Sequence, residues 1–150
     1  MKYGKIVEGK FIERLNRFVA VCSIDGQEVH CHVKNTGRCK EILVEGVQCF
    51  LEESENPGRK YKYSLVALKK GEKLINIDSQ APNKAAMEFL SQGRLYSDIE
   101  NLRAEKTYGN SRFDFYFEHG GRKAYLEVKG VTLERDGAVF FPDARNKASQ

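Results

Sequence analysis

The sequence predicts an α+β fold in two parts: an OB-like β-barrel over residues 1–80, then a mixed α/β domain over residues 81–150. Three observations carry this. Short β-rich segments separated by turn residues fill the first half. Helical spacing begins near Ser79. Strands joined by glycine turns return after Tyr108.

In the first half, Phe18 to Ile24 reads as a strand ended by the hairpin dipeptide Asp25-Gly26, and Glu28 to Val33 returns from it. Asn35-Thr36-Gly37 interrupts the pattern, and Cys39 to Leu43 suits one helical turn. Val47 to Glu52 alternates, with Val47, Cys49 and Leu51 on one face. After the turn Asn56-Pro57-Gly58, strands over Tyr61 to Lys69 and Lys73 to Ile77 flank Lys70-Gly71. Five strands at this spacing suit a small barrel.

The domain boundary falls near residues 78–82. Beyond it, Ala85, Ala86, Phe89 and Leu90 recur at helical spacing, with Pro82 in the first turn and Gly93 as the stop. A second short helix is expected over Tyr96 to Leu102. Strands over Ser111 to Glu118 and Lys123 to Val131 join through His119-Gly120-Gly121, and a last pair meets at Arg135-Asp136-Gly137, ending with Ala138 to Phe141.

Composition narrows the function classes. The 150 residues carry 25 Lys plus Arg against 21 Asp plus Glu, and a net charge of +4 that does not by itself declare a polyanionic partner. No apolar run approaches the ~20 residues of a membrane helix. The start, Met1-Lys2-Tyr3-Gly4-Lys5, has no apolar leader, so a cytoplasmic location without membrane contact is expected. Cys22, Cys31, Cys39 and Cys49 form no C-x-x-C pair, which agrees with a reducing compartment. His30-Cys31-His32 invites a metal reading, but Val29, Cys31 and Val33 alternate as a strand with Cys31 turned inward. No nucleophile motif and no glycine-rich phosphate loop is present.

The sharpest chemical signal is in the second half. Phe113, Phe115 and Phe117 alternate, which predicts one shared face with Asp114 on the other. Leu126 and Val128 likewise oppose Glu127 and Lys129. Pairing through the His119 turn sets Asp114 opposite Glu127, with Cβ atoms about 4.5–5.5 Å apart. Two carboxylates so placed repel unless a cation or proton lies between them. Mg²⁺ or Mn²⁺ would suit them, polarising a phosphodiester and lowering the pKa of a bound water. Lys129 would orient or deprotonate that water, or balance charge, and Glu105 could add a carboxylate. The plainer reading is a solvated strand face, on which outward charges are common.

The barrel carries a second signal. Arg14, Arg17, Lys34, Arg38, Lys40, Arg59, Lys60 and Lys62 interleave with Phe11, Phe18, Tyr61 and Tyr63. OB barrels bind strands through cationic grooves and stacking aromatics. Asn16 and Asn35 could reach bases or phosphates, and His32 could contact a phosphate beside the Asn35 loop. Tyr61 and Tyr63 equally suit a core with Leu65, and His119 suits a turn.

Several segments together resemble the sugar fermentation stimulation protein A (SfsA) family. They are Asn16-Arg17-Phe18, Asn35-Thr36-Gly37-Arg38, Pro82-Asn83, Gly109 to Asp114, Glu127 to Leu133 and Phe141-Pro142-Asp143-Ala144, in order from about Lys10 to Ala144. The resemblance implies an N-terminal OB-like barrel and a domain similar to the PD-(D/E)XK nuclease core. It also implies DNA binding and a link to regulation of sugar utilisation. Asp114, Glu127 and Lys129 fall where that superfamily places its metal carboxylates and lysine; Glu105, or alternatively Glu100, would match its remaining acid. The principal expectation is a regulatory DNA-binding protein with a nuclease-like metal site. The alternatives are a metal-dependent nuclease acting through Asp114, Glu127 and Lys129, and a scaffold.

Family members continue past the Phe-Pro-Asp-Ala segment, so the chain reads as C-terminally shortened, with its 81–150 domain incomplete. That predicts DNA binding with little or no cleavage. It also predicts a homodimer covering an exposed face of Phe113, Phe115 and Phe117.

Overall fold

The computed structural model describes residues 1–141; Pro142-Asp143-Ala144 and the segment from Arg145 to Gln150 lie outside the described residues. The chain divides into two compact units, one of residues 2–79 with 131 onward, the other of residues 80–130 with Met1.

In the first unit, strands β1 (Lys5–Arg14), β2 (Val19–Ile24), β3 (Gln27–Val33), β4 (Gln48–Glu53) and β5 (Tyr63–Lys70) are antiparallel neighbours in the order β3-β2-β1-β4-β5. A parallel pairing of β3 with β5, Cys31 beside Tyr63 and Val33 beside Leu65, closes the ring. This is a five-stranded closed barrel of the OB type. The short strand β6 (Lys73–Asn76) extends β5 as a hairpin outside the ring.

The core follows from alternation on most strands. Ala20 and Cys22, Cys31 and Val33, and Cys49 and Leu51 point inward, joined by Phe11, Leu65, Leu68, Ile42 and Ile77. All four cysteines are buried, and Cys22 Sγ lies 3.6 Å from Cys31 Sγ. A register shift opposite β5, between Phe50 and Leu51, lets Leu65 and Leu68, three residues apart, both reach the core. Cys39 to Leu43 makes one helical turn, with the Ile42 and Leu43 amides donating to Cys39 O at 3.0 and 2.9 Å.

Two strand expectations change. Lys73 to Ile77 is not a barrel strand; the fifth is β1, which the sequence pattern hides. Lys5, Glu8, Lys10, Glu13 and Arg14 dilute its apolar signal, and Phe11 is its buried residue. Backbone ladders hold β1, first to β4 through Lys5–Lys10 and then to β2 through Lys10–Arg14.

In the second unit, helix α1 (Ala81–Ser91) packs on the antiparallel sheet β7 (Glu100–Tyr108), β8 (Ser111–His119) and β9 (Arg122–Leu126). Gly93, at φ +64°, ends the helix: its amide donates to Leu90 O at 3.0 Å and that of Arg94 to Phe89 O at 3.2 Å. That pairing is a Schellman cap, which a side chain at Gly93 would strain. Leu90, Phe115 and Phe117 form the core with Ala86, Met87, Leu102, Ala124, Leu126 and Val128 around them.

The helix expected over Tyr96 to Leu102 does not form. Residues 96–99 turn, and strand β7 begins at Glu100, because pairing with β8 satisfies its backbone while Ile99 and Leu102 enter the core. Strand β9 stops at Leu126, short of the expected Val131. The segment after Gly130 belongs to the barrel unit. Its hairpin β10 (Glu134–Arg135) and β11 (Ala138–Val139) turns at Asp136-Gly137, with φ +52° and +84°. Glu134 docks it on the β5–β6 hairpin through ion pairs with Lys70 and Lys73.

Candidate nucleic-acid interface and carboxylate site

On the barrel, the β1–β2 loop and the segment 35–38 border a groove of about 770 Å³, lined by Asn16, Arg17, Thr36, Gly37, Arg38 and Lys40 among others. Arg14 joins the two segments. Its Nε donates to Asn16 O at 3.1 Å and Nη2 to Arg17 O at 2.7 Å. The same guanidinium reaches the carbonyls of Asn35, Gly37 and Arg38. Its donors are therefore occupied by backbone, and the side chain acts as the brace of the groove.

Two asparagines work locally. Asn16 Oδ1 accepts from the amides of Phe18 at 2.9 Å and Val19 at 3.1 Å. Asn35 Oδ1 accepts from Gly37 N at 2.8 Å, and its Nδ2 donates to Ile77 O at 3.0 Å. Arg17, Arg38 and Lys40 supply the groove's positive side chains. Of the aromatics, Phe11 is buried in the barrel core, whereas Phe18 is 54% exposed.

His32, Arg59 and Lys60 belong to another part of the barrel. His32 pairs in register with Ser64, whose Oγ accepts from Arg59 Nη2 at 3.2 Å. Burial first, then Arg59 and Lys34, lower the His32 pKa, which keeps the imidazole neutral near pH 7. Among the described residues, the buried His32 Nδ1 has no hydrogen-bond partner. Lys60 lies 5.3 Å from the Tyr61 ring centroid. Lys34 is held by Asp78 at 3.4 Å and Glu52 at 3.8 Å.

In the second unit, β8 and β9 pair with Phe115 opposite Leu126 and Tyr116 opposite Tyr125. The same register carries Asp114 towards Glu127, but β9 ends one residue earlier and the pair is not formed as a ladder rung. Instead, Asp114 Oδ2 accepts from the amide of Val128 at 2.7 Å and Oδ1 from Asn83 Nδ2 at 2.8 Å. Asn83 lies in the first turn of α1, so Asp114 faces the helix side of the sheet.

That placement corrects the alternation argument. Asp114 shares the side of Phe115 and Phe117, while Phe113 packs on Tyr125, the partner of Tyr116, with ring centroids 5.2 Å apart. The cause lies on the neighbouring strand. Glu105, across from Asp114, has φ +56°, and the ladder between Ala104–Phe115 and Lys106–Phe113 is interrupted there. Phe115 and Phe117 are 2% and 3% exposed, covered by α1 and the sheet. The reason for expecting a homodimer, an uncovered phenylalanine face, is therefore absent at both.

Glu105 and Asp114 line a common cavity of about 380 Å³ with Asn83, Lys84 and Met87. Glu105 also pairs with Arg112 at 2.7 Å. Glu100 lies opposite Glu118, away from this cavity. Glu127 and Lys129 form an exposed ion pair. The Lys129 pKa is raised, chiefly by its hydrogen bond to Glu127, with a further contribution from the charge of Asp114. Asp114, Glu127 and Lys129 are thus electrostatically joined. Among the described residues, no group of three His, Cys, Asp or Glu side chains has the geometry to hold a metal ion. Asn83 stands out only in the structure; in the sequence it is marked by the Pro82-Asn83 pair alone, without a role.

A closed OB barrel followed by a helix-backed antiparallel sheet defines the class: an OB-fold protein with an appended helix-and-sheet unit. Residues 12–77 match the SfsA N-terminal OB domain, and residues 80–149 match the sugar fermentation stimulation protein RE domain. The chain belongs to the sugar fermentation stimulation protein family. The homologue of Desulfitobacterium hafniense (strain DSM 10664 / DCB-2) is 54% identical over 144 residues, covering 96% of this chain and 63% of the relative. That of Clostridium beijerinckii is 52% identical, over 96% of this chain and 64% of its own. The structure of Pyrococcus furiosus SfsA in complex with Ca²⁺ is similar at TM-score 0.84 and 23% identity, over 98% of this chain and 64% of that one. The chain thus spans just under two thirds of the length of these relatives. Among the described residues, no helix is long and apolar enough to cross a membrane.

Proposed function

We propose that the chain is a cytoplasmic DNA-binding protein with a regulatory role, and that its second unit carries a divalent-cation site. One observation carries the first part: the groove where Arg17, Arg38 and Lys40 converge between segments braced by Arg14. A braced groove loses little freedom when it meets phosphates, and positive side chains supply the sequence-independent attraction. The mild net charge of +4 makes this local concentration the relevant quantity. Replacing Arg17 and Arg38 together by alanine should weaken binding to a DNA duplex. It should also flatten the salt dependence, by roughly 0.9 in slope for each phosphate no longer neutralised. Unchanged affinity and slope in an anisotropy titration would remove the barrel groove from the account.

The second part rests on the donor set. Asp114 and Glu127 are hard oxygen donors, and one or two carboxylates with retained waters suit Mg²⁺ or Mn²⁺. With no third acidic ligand in place among the described residues, they fit a weakly held cation better than a closed protein cage. The Ca²⁺ complex of the Pyrococcus furiosus protein, which shares the fold, is consistent with a hard-cation site. When bound, the cation would polarise a phosphodiester and acidify a water. Asn83 and the Val128 amide fix the orientation of Asp114. Lys129, held protonated by its carboxylate neighbours, would balance charge on the phosphate rather than accept a proton.

A metal-dependent nuclease is the second reading, favoured by the junction of Asp114, Glu127 and Lys129. Plasmid nicking with Mg²⁺ or Mn²⁺ that is lost on Glu127→Ala would establish it. Binding without nicking would leave the regulatory reading.

A further inference from the structure

The loop between β1 and β2 holds two apolar side chains in solvent, Leu15 at 47% and Phe18 at 54% exposure, on either side of Asn16 and Arg17. A flexible loop would fold such groups back against the barrel, since burying each would be worth about 1.5–3 kcal/mol. Here the backbone prevents it. The amides of Leu15 and Asn16 donate to Val19 O at 3.0 and 3.3 Å, and Phe18 O accepts from Val33 N at 2.8 Å. Asn16 Oδ1 caps the amides of Phe18 and Val19, and Arg14 holds the carbonyls of Asn16 and Arg17.

We propose that Leu15 and Phe18 form an apolar wedge that enters between base pairs of duplex DNA, so that the protein selects duplexes that kink easily. This rests on the DNA-binding reading above. The chemistry favours a wedge over a stacking platform for single strands: leucine offers no ring face, yet leucine and phenylalanine are both used to prise base steps apart. Charge complementarity favours DNA, because Arg17, which lies between the two in sequence, lines the adjoining groove with Arg38 and Lys40. A pinned loop also suits the task, since a wedge must hold its shape while the duplex unstacks.

The test compares two 30-base-pair duplexes of the same sequence, one intact and one with a central two-base mismatch, by anisotropy at several salt concentrations. A mismatch lowers the cost of unstacking, so the chain should bind the mismatched duplex about tenfold tighter. The Leu15→Ala/Phe18→Ala variant should bind both equally while keeping the salt slope. Both positions are exposed, and an unchanged thermal midpoint would show that the variant is folded. The Arg17→Ala/Arg38→Ala variant should lose affinity for both duplexes and keep the ratio between them. Equal wild-type affinities, a preference that survives in the apolar variant, or tighter binding to the single strand would overturn the wedge while leaving DNA binding in place. Absence of salt-dependent binding to either duplex would overturn both proposals.

Discussion

The side-chain amide of Asn83 donates to Oδ1 of Asp114 at 2.8 Å and ties the first turn of α1 to the central strand β8. The Val128 amide holds the other oxygen, so the carboxylate is fixed from both the helix and the chain beyond β9. Asn83→Ala removes one donor to a part-buried charge. A drop of about 1–2 kcal/mol in a urea melt is expected, with a weaker Mn²⁺ affinity by calorimetry. Retained stability would mean that water replaces the amide.

Arg14 gives a contrast with its neighbour. Because its guanidinium serves carbonyls of both groove segments, Arg14→Ala should cost about 2–3 kcal/mol of stability. Arg14→Lys should recover little of it, since an ammonium cannot span the fork. Arg17→Ala should leave stability within about 0.5 kcal/mol, being a surface change. Denaturant midpoints of the three variants decide the point.

Glu134 predicts an acid-sensitive junction. Its pKa falls from 4.5 to about 2, through the hydrogen bond from Lys73 first and then from the Gly137 amide. A depressed carboxylate stabilises the folded state above its unfolded pKa, and that contribution disappears as pH falls through the folded value. The β10–β11 hairpin should therefore loosen between about pH 4.5 and 2. Amide exchange at Gly137 and Val139 reports it. Glu134→Gln should remove the pH dependence in that window.

Gly9 marks a tight crossing in the barrel. A Cβ there would meet the Ser23 carbonyl oxygen at 2.6 Å and Leu51 Cδ1 at 3.3 Å. Neither neighbour is the loose end of a surface chain, so Gly9→Ala should cost about 1–3 kcal/mol in thermal unfolding. Gly4→Ala, whose Cβ would meet Glu52 Oε1 at 3.5 Å, is the matched control and should be near neutral.

Much of the fold is legible in local pattern. Turn dipeptides such as Asp25-Gly26 and Lys70-Gly71 mark real hairpins, the Pro82 to Gly93 interval is the helix, and Cys31 points inward. These depend on backbone preferences and side-chain period, which act over a few residues. The same local chemistry brought the OB barrel within reach, while the family came from the resemblance of whole segments such as Asn35-Thr36-Gly37-Arg38, and the residue types of the candidate carboxylate site stand in the sequence.

What lay beyond the sequence depends on neighbours distant along the chain. Strand β1 exists because β2 and β4 both bond to it, although its charged residues argue against a strand. Residues 100–102 join the sheet rather than a helix because β8 offers this strand hydrogen bonds and a core. Asp114 crosses to the helix side because Glu105 interrupts the ladder on the adjoining strand. Arg14 became a brace because five carbonyls from two segments converge on it. Sequence period assigns a face only while a strand stays regular, and regularity is decided by the strands beside it.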